Sequence, residues 1–163
     1  MLTAEKITVR YGELTAVRDV TFALEEGQWL MLAGPNGAGK STLISAVAQT
    51  TPYTGCVQIW GRDTASLHPG QLARQMGVLS QQHSIGYDYT VEEIVALGRY
   101  AHRRGLLRLK DDGGRRAVEQ ALEITGMEPL RRHSVLSLSG GEVQRAALAK
   151  VLLSSPRLLL LDE

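Results

Sequence analysis

The chain has 163 residues, the length of one domain, with 44% hydrophobic and 21% charged residues and a formal net charge of +1. That balance supplies a core and excludes the strong electrostatic footprint of a nucleic-acid binder. One cysteine, Cys56, excludes an internal disulfide and fits a reducing, cytosolic setting; with no signal peptide or bilayer-length apolar run to be read, the expectation is that any membrane crossing falls to another chain.

The first part reads as β-rich. Residues 7–10 and 20–24 alternate with period two and predict strands, with a turn at 25–27. The apolar run 29–33, Trp-Leu-Met-Leu-Ala, predicts a buried strand. It leads into Gly34, Pro35, Asn36, Gly37, Ala38, Gly39, Lys40 and Ser41, with Thr42 next. This stretch fits G-x-x-x-x-G-K-S/T at every fixed position, and a helix-like run over 41–48 follows. Such glycines let the backbone curl so that several N–H groups face one centre. The following helix adds roughly half a positive charge at its N-terminus. Lys40 can reach the outer phosphates of a nucleotide, and the Ser41 hydroxyl can hold Mg²⁺. A glycine-rich turn that happens to precede a helix is the plain alternative. The lysine, the hydroxyl and the leading apolar run together argue against it.

Residues 51–55 break the helix, and 56–60 predict a strand with Cys56 as a small buried hydrophobe. A turn is expected at 61–63, a short helix over 68–74 and a short strand over 76–80, ending at Gln81. The pattern then turns helical. Thr90 and Glu93 form a capping-box signature for a helix carrying Ile94, Val95 and Leu97 inward. The basic residues Arg99, Arg103, Arg104, Arg108 and Lys110 read as a solvated face or as a docking surface for a partner. Residues 116–125 predict an amphipathic helix closed by Gly126. Ser139, Gly140, Gly141 and Glu142 form a second capping box, opening a helix to about residue 153, and 154–156 stop it. Four leucines over 158–161 predict a buried strand of parallel-sheet type, followed by Asp162 and Glu163.

Those two carboxylates lie at the C-terminal end of a strand, where ligands bind in open α/β sheets. Asp162 can hold the water shell of Mg²⁺ and Glu163 can polarise an attacking water; an ordinary solvated strand end is the alternative. The Ser139 turn is a further helix N-terminus able to receive an anion. One nucleotide does not need two such sites in one subunit, so this one is expected to meet a nucleotide held by another subunit, against the alternative of a plain cap.

Taken in order, these segments resemble the ATP-binding subunit of ABC transporters over the whole chain. Residues 34–41 match Walker A, 158–163 match Walker B with the catalytic glutamate, and 138–142 resemble the signature motif, with Glu142 where glutamine is commoner. Gln81 falls at the Q-loop position, with Ser80 in place of the usual proline and Gln82 leaving the register ambiguous by one. Tyr11 falls where the family stacks an aromatic ring on adenine. The resemblance implies an α/β fold, a P-loop NTPase core of ABC type with an N-terminal antiparallel β subdomain and a helical subdomain, lacking its C-terminal part. The expected division is 1–82 for the β-rich ATP-binding part, 83–155 for the helical subdomain and 156–163 for the Walker B strand.

It also implies roles. Lys40 and the backbone of 34–42 bind ATP, Ser41, Gln81 and Asp162 surround Mg²⁺ or its waters, and Glu163 acts as general base. Ser139, Gly140 and Gly141 close on the nucleotide of a second ATP-binding subunit in a head-to-tail dimer. Transmembrane permease subunits are the other implied partners, with the chain peripheral on the cytoplasmic face of the membrane and no nucleic acid involved. Residues 89–99 look most like importers of iron-siderophore complexes, haem or cobalamin. Two other readings stay open: a nucleotide-binding fragment with little turnover, and a soluble ABC-type ATPase outside transport. None of His68, His83, His102 and His133 matches the family's switch histidine. The resemblance places a further strand between 29–33 and 158–161. Without it the expectation is that these two pair directly, that another copy inserts a strand, or that the chain self-associates.

Overall fold

The computed structural model describes residues 1–80, 88–102 and 112–162. They form two units, Met1–Leu72 together with Asp162, and Ala73–Leu161.

In the first unit, β1 (Leu2–Tyr11) and β2 (Leu14–Leu24) form an antiparallel hairpin, turned by Gly12 at φ +58°. The buried residues of β1 are Leu2 and Ala4, then Ile7 and Val9. This alternation slips by one residue after Ala4, and a bulge makes the slip. Lys6 adopts φ +52°, and its N–H donates to Thr21 Oγ1 at 2.9 Å. The opposite strand repeats the device: Asp19 adopts φ +50° and its N–H donates to Thr8 Oγ1 at 2.9 Å. Each threonine satisfies an amide that the bulge diverts from the ladder.

Antiparallel β3 (Thr54–Ile59) pairs with the other edge of β1 and with β4 (Arg62–Asp63), giving the order β2-β1-β3-β4. The expected turn at 61–63 therefore contains a short strand. Its last residue, Asp63, accepts the Ala65 N–H at 2.9 Å and starts a 3₁₀ turn. Helix α1 (Lys40–Val47) buries Leu43, Ala46 and Val47, and α2 (Pro69–Leu72) is a single turn within the expected 68–74 helix.

Residues 29–33 depart from expectation. They join no ladder among the described residues, and Trp29 and Met31 are 96% and 87% exposed. An apolar run makes a buried strand only where neighbouring strands take up its amides and carbonyls. Neither observed ladder includes this run.

In the second unit, β5 (Met76–Leu79) and β6 (Leu158–Leu161) pair in parallel, as the four leucines predicted. Full burial of β6 is not observed: Leu159 and Leu161 are exposed, because a two-stranded parallel sheet lacks the cover that larger ones have. Helices α3 (Val91–Ala96), α4 (Asp112–Ile124) and α5 (Gly140–Leu153) enclose a core that includes Val91, Val95, Leu122, Met127 and Ala149. Leu97 does not join it. The α-helix ends at Ala96, the chain tightens into a 3₁₀ segment (Leu97–His102), and Leu97 turns outward, 48% exposed.

The helix ends follow the sequence closely. Glu93 N–H donates to Thr90 Oγ1 at 3.3 Å while Thr90 N–H donates to Glu93 Oε2 at 2.8 Å, a reciprocal cap. At the end of α4, Gly126 adopts φ +66° and donates to Glu123 O, and Met127 N–H donates to Leu122 O. Leu122 and Met127 are both fully buried, which completes a Schellman motif with its apolar contact. Arg131 ties the start of α3 to the chain after α4, donating to both carboxylate oxygens of Glu92 at 2.9 and 3.1 Å.

Candidate functional site

The loop 34–39 precedes α1 and is exposed from Gly34 to Ala38. Ala38 N–H donates to Pro35 O at 3.2 Å, closing a turn. Gly37 and Gly39 adopt φ +81° and +84°, a region costly for other residues. Gly39 also lacks room, since a Cβ there would fall against the carbonyl oxygen of Ala16. Helix α1 starts at Gly39 with no side-chain cap and no acidic residue in its first turn. Its leading amides and its dipole are thus set up for an external anion.

Two side chains define the chemistry of this end. Lys40 Nζ donates to Gly34 O at 2.8 Å and to Pro35 O at 2.9 Å, which folds the ammonium back over its own loop. Ser41 Oγ donates to Asp162 Oδ1 at 2.8 Å. A hydroxyl and a carboxylate so close are hard oxygen donors of the kind Mg²⁺ and its waters accept, so these residues fit the ion the sequence implied. Thr42 occupies the same first turn, and Tyr11, which ends β1, is 51% exposed. Gln81 and Glu163 lie outside the described residues, as do the basic residues of 103–110.

In the second unit, Ser139 precedes α5. Its N–H and its hydroxyl both donate to Glu142 Oε2, at 2.7 and 2.6 Å. The Ser139 hydroxyl, then its N–H, hold the Glu142 carboxyl below the usual carboxylate range, with smaller help from Arg145 and His133. A Cβ added to Gly140 or Gly141 would meet nothing within 4 Å, so packing in this chain does not require either to be glycine. The Ser-x-x-Glu spacing signalled the cap. It did not signal that both Ser139 donors converge on one oxygen, nor that Lys40 rests on two loop carbonyls, because both depend on rotamers.

A model of the ABC transporter family matches residues 17–163. The chain belongs to the ABC transporter family. It is 37% identical over 163 residues to the ferric enterobactin transport ATP-binding protein FepC of Escherichia coli, covering 99% of this chain and 60% of that protein. It is 39% identical over 172 residues to the hemin import ATP-binding protein HmuV of Jannaschia, covering 100% and 61%. With the iron(3+)-hydroxamate import ATP-binding protein FhuC of Bacillus subtilis it shares 34% identity over 163 residues, covering 99% and 60%. The chain thus spans about three fifths of the length of these three relatives.

Among solved structures, an ATP-binding subunit of an ABC transporter superposes with a TM-score of 0.84 at 25% identity, covering all of this chain and 66% of that one. A dimeric ATP-binding cassette in a post-hydrolysis state, bound to ADP and Pi, superposes with a TM-score of 0.86 at 27% identity, covering all of this chain and 74% of that one. The fold is that of the ABC-type ATPase core, with its antiparallel β part in the first unit and its helical part in the second. No helix among the described residues is long and apolar enough to cross a membrane.

Proposed function

We propose that this chain is the ATP-binding and hydrolysing part of an ABC importer for iron-siderophore complexes, haem or a related metal chelate. The observation that carries the reading is the Ser41–Asp162 hydrogen bond, which joins the phosphate loop to the acidic end of the leucine strand. Two motifs far apart in sequence thereby contribute to one oxygen-lined point. The named functions of FepC, HmuV and FhuC supply the substrate class.

In this proposal the phosphates of ATP bind the amides of the loop and of the first turn of α1. Lys40 exchanges its carbonyl partners for β- and γ-phosphate oxygens, and Tyr11 stacks on adenine. Ser41 and Asp162, with Gln81, would hold Mg²⁺ or its waters, and the ion when bound neutralises phosphate charge. Glu163 accepts the proton of the water that attacks the γ-phosphate. Ser139, Gly140 and Gly141 meet the nucleotide of a second subunit in a head-to-tail dimer, and the openness of both glycines agrees with a partner outside this chain. Permease subunits complete the assembly, with this chain docked peripherally on its cytoplasmic side. The functional division remains 1–82, 83–155 and 156–163.

A second reading has one observation in its favour. The segment leading into the phosphate loop, residues 29–33, joins no ladder among the described residues, and Trp29 and Met31 are exposed; on this second reading the chain by itself binds nucleotide with little turnover. Calorimetric titration with Mg-ATP, run beside a phosphate-release assay, separates the two. Lys40→Ala is expected to abolish binding. Glu163→Gln is expected to keep binding and stop release. Heat without release from the unsubstituted chain favours the second reading, and no heat at all overturns both.

A further inference from the structure

We infer that Glu142 is a positioning residue that competes with nucleotide for Ser139, so that it raises the nucleotide level needed to bring two subunits together. This inference rests on the proposed function, in which Ser139 meets the nucleotide of a second subunit. Ser139 offers two donors at the head of α5, its N–H and its hydroxyl. Both are spent on Glu142 Oε2, at 2.7 and 2.6 Å. A hydroxyl has one proton, and while it is donated to Glu142 it cannot be donated to a phosphate oxygen. The acceptor is an anion, so this competitor is a charge-assisted one. The same carboxylate also repels an arriving triphosphate, because Gly140 and Gly141 place no side chain between them. Among the described residues, Arg145 and His133 act on the Glu142 carboxyl in the lowering direction, the smallest of its causes, and Arg145 offsets that repulsion in part.

The chain contains its own reference. At Thr90 the N–H and hydroxyl donate to Glu93 Oε2 at 2.8 and 2.9 Å, nearly the same arrangement. That turn carries none of the signature residues, so its glutamate is a cap alone. A purely structural role for Glu142 requires the two glutamates to behave alike, whereas competition sets Glu142 apart.

The test uses the full chain, with Mg-ATP and its non-hydrolysable imido analogue as probes. Nucleotide-dependent association is followed by sedimentation velocity, and affinity is measured with a fluorescent nucleotide at protein concentrations too low for association. Glu142→Gln is expected to lower the nucleotide level for half-association about five- to tenfold, as removal of one charge-assisted competitor allows. Affinity at low protein concentration stays as in the unsubstituted chain, and Glu93→Gln leaves association unchanged. Glu142→Ala, which removes the competitor by a different route, shifts association the same way; a residue that only caps α5 would shift it the opposite way. Unchanged or weaker association in both Glu142 variants, with nucleotide still bound, overturns the inference and leaves the proposed function standing. Loss of nucleotide binding in every protein, the unsubstituted chain included, overturns both.

Discussion

Gly55 shows how a single backbone position can depend on a distant bulge. It lies at the start of β3, where the strand passes β1 beside Lys6. A Cβ at Gly55 would sit 2.5 Å from Glu5 O and 2.6 Å from Lys6 O, and its φ is +106°. Both the close approach and the dihedral exclude a side chain, and neither obstacle can rotate away, since each is backbone. Gly55→Ala is therefore expected to destabilise the first unit by about 2–3 kcal/mol, seen as a lower urea midpoint. Lys40 is a contrasting case. It is exposed enough to move, and its two carbonyl bonds at 2.8 and 2.9 Å are exchangeable. Lys40→Ala should leave the urea midpoint close to that of the unsubstituted chain while removing nucleotide binding, so that stability and function separate at these two residues.

At the scale of elements, the helix ends carry the most readable physics. The Thr90–Glu93 box, the Gly126 stop and the start of α5 at Ser139 were all legible, because each rests on local side chain to backbone chemistry that spacing alone reveals. The glycine turn ahead of α1 was legible for the same reason. Residues 29–33 and Leu97 were not. An apolar run states only that it would be stable if covered, and cover is supplied by other elements. The double bulge at Lys6 and Asp19 was equally silent, as its sign is the cross-strand placement of Thr21 and Thr8. The two glutamate caps also give a pH dependence. Bonds from the Thr90 N–H, then its hydroxyl, lower the Glu93 carboxyl, and those from the Ser139 hydroxyl, then its N–H, lower Glu142. A carboxyl lowered on folding contributes stability that is fully present above its unfolded value, near pH 4.3, and is lost as pH falls through the folded value. Helical circular dichroism from pH 7 to pH 2 should show the second unit weakening only below about pH 4.3, and Glu93→Gln should flatten that limb. At neutral pH, Thr90→Ala should cost about 1 kcal/mol in the same unit.

For the whole molecule, the exposed run at residues 29–33 has a consequence for solution behaviour. Trp29 and Met31 present apolar side chains to water on a backbone whose hydrogen-bonding groups join no ladder. Such a segment is a template for pairing with another copy. Sedimentation velocity without nucleotide should show average mass rising with protein concentration. Met31→Lys should move that rise to higher concentration, and a constant mass in the unsubstituted chain would contradict this. The Ser41–Asp162 hydrogen bond bears on synthesis as well as chemistry. It joins positions 121 residues apart, so on the ribosome the loop emerges long before its acidic partner. The glycines and lysine can curl early from local preference alone, yet the oxygen pair exists only once residue 162 has left the exit tunnel. In the proposed function, the magnesium-holding oxygens are therefore assembled late in synthesis, well after the loop that precedes α1 has taken its local shape.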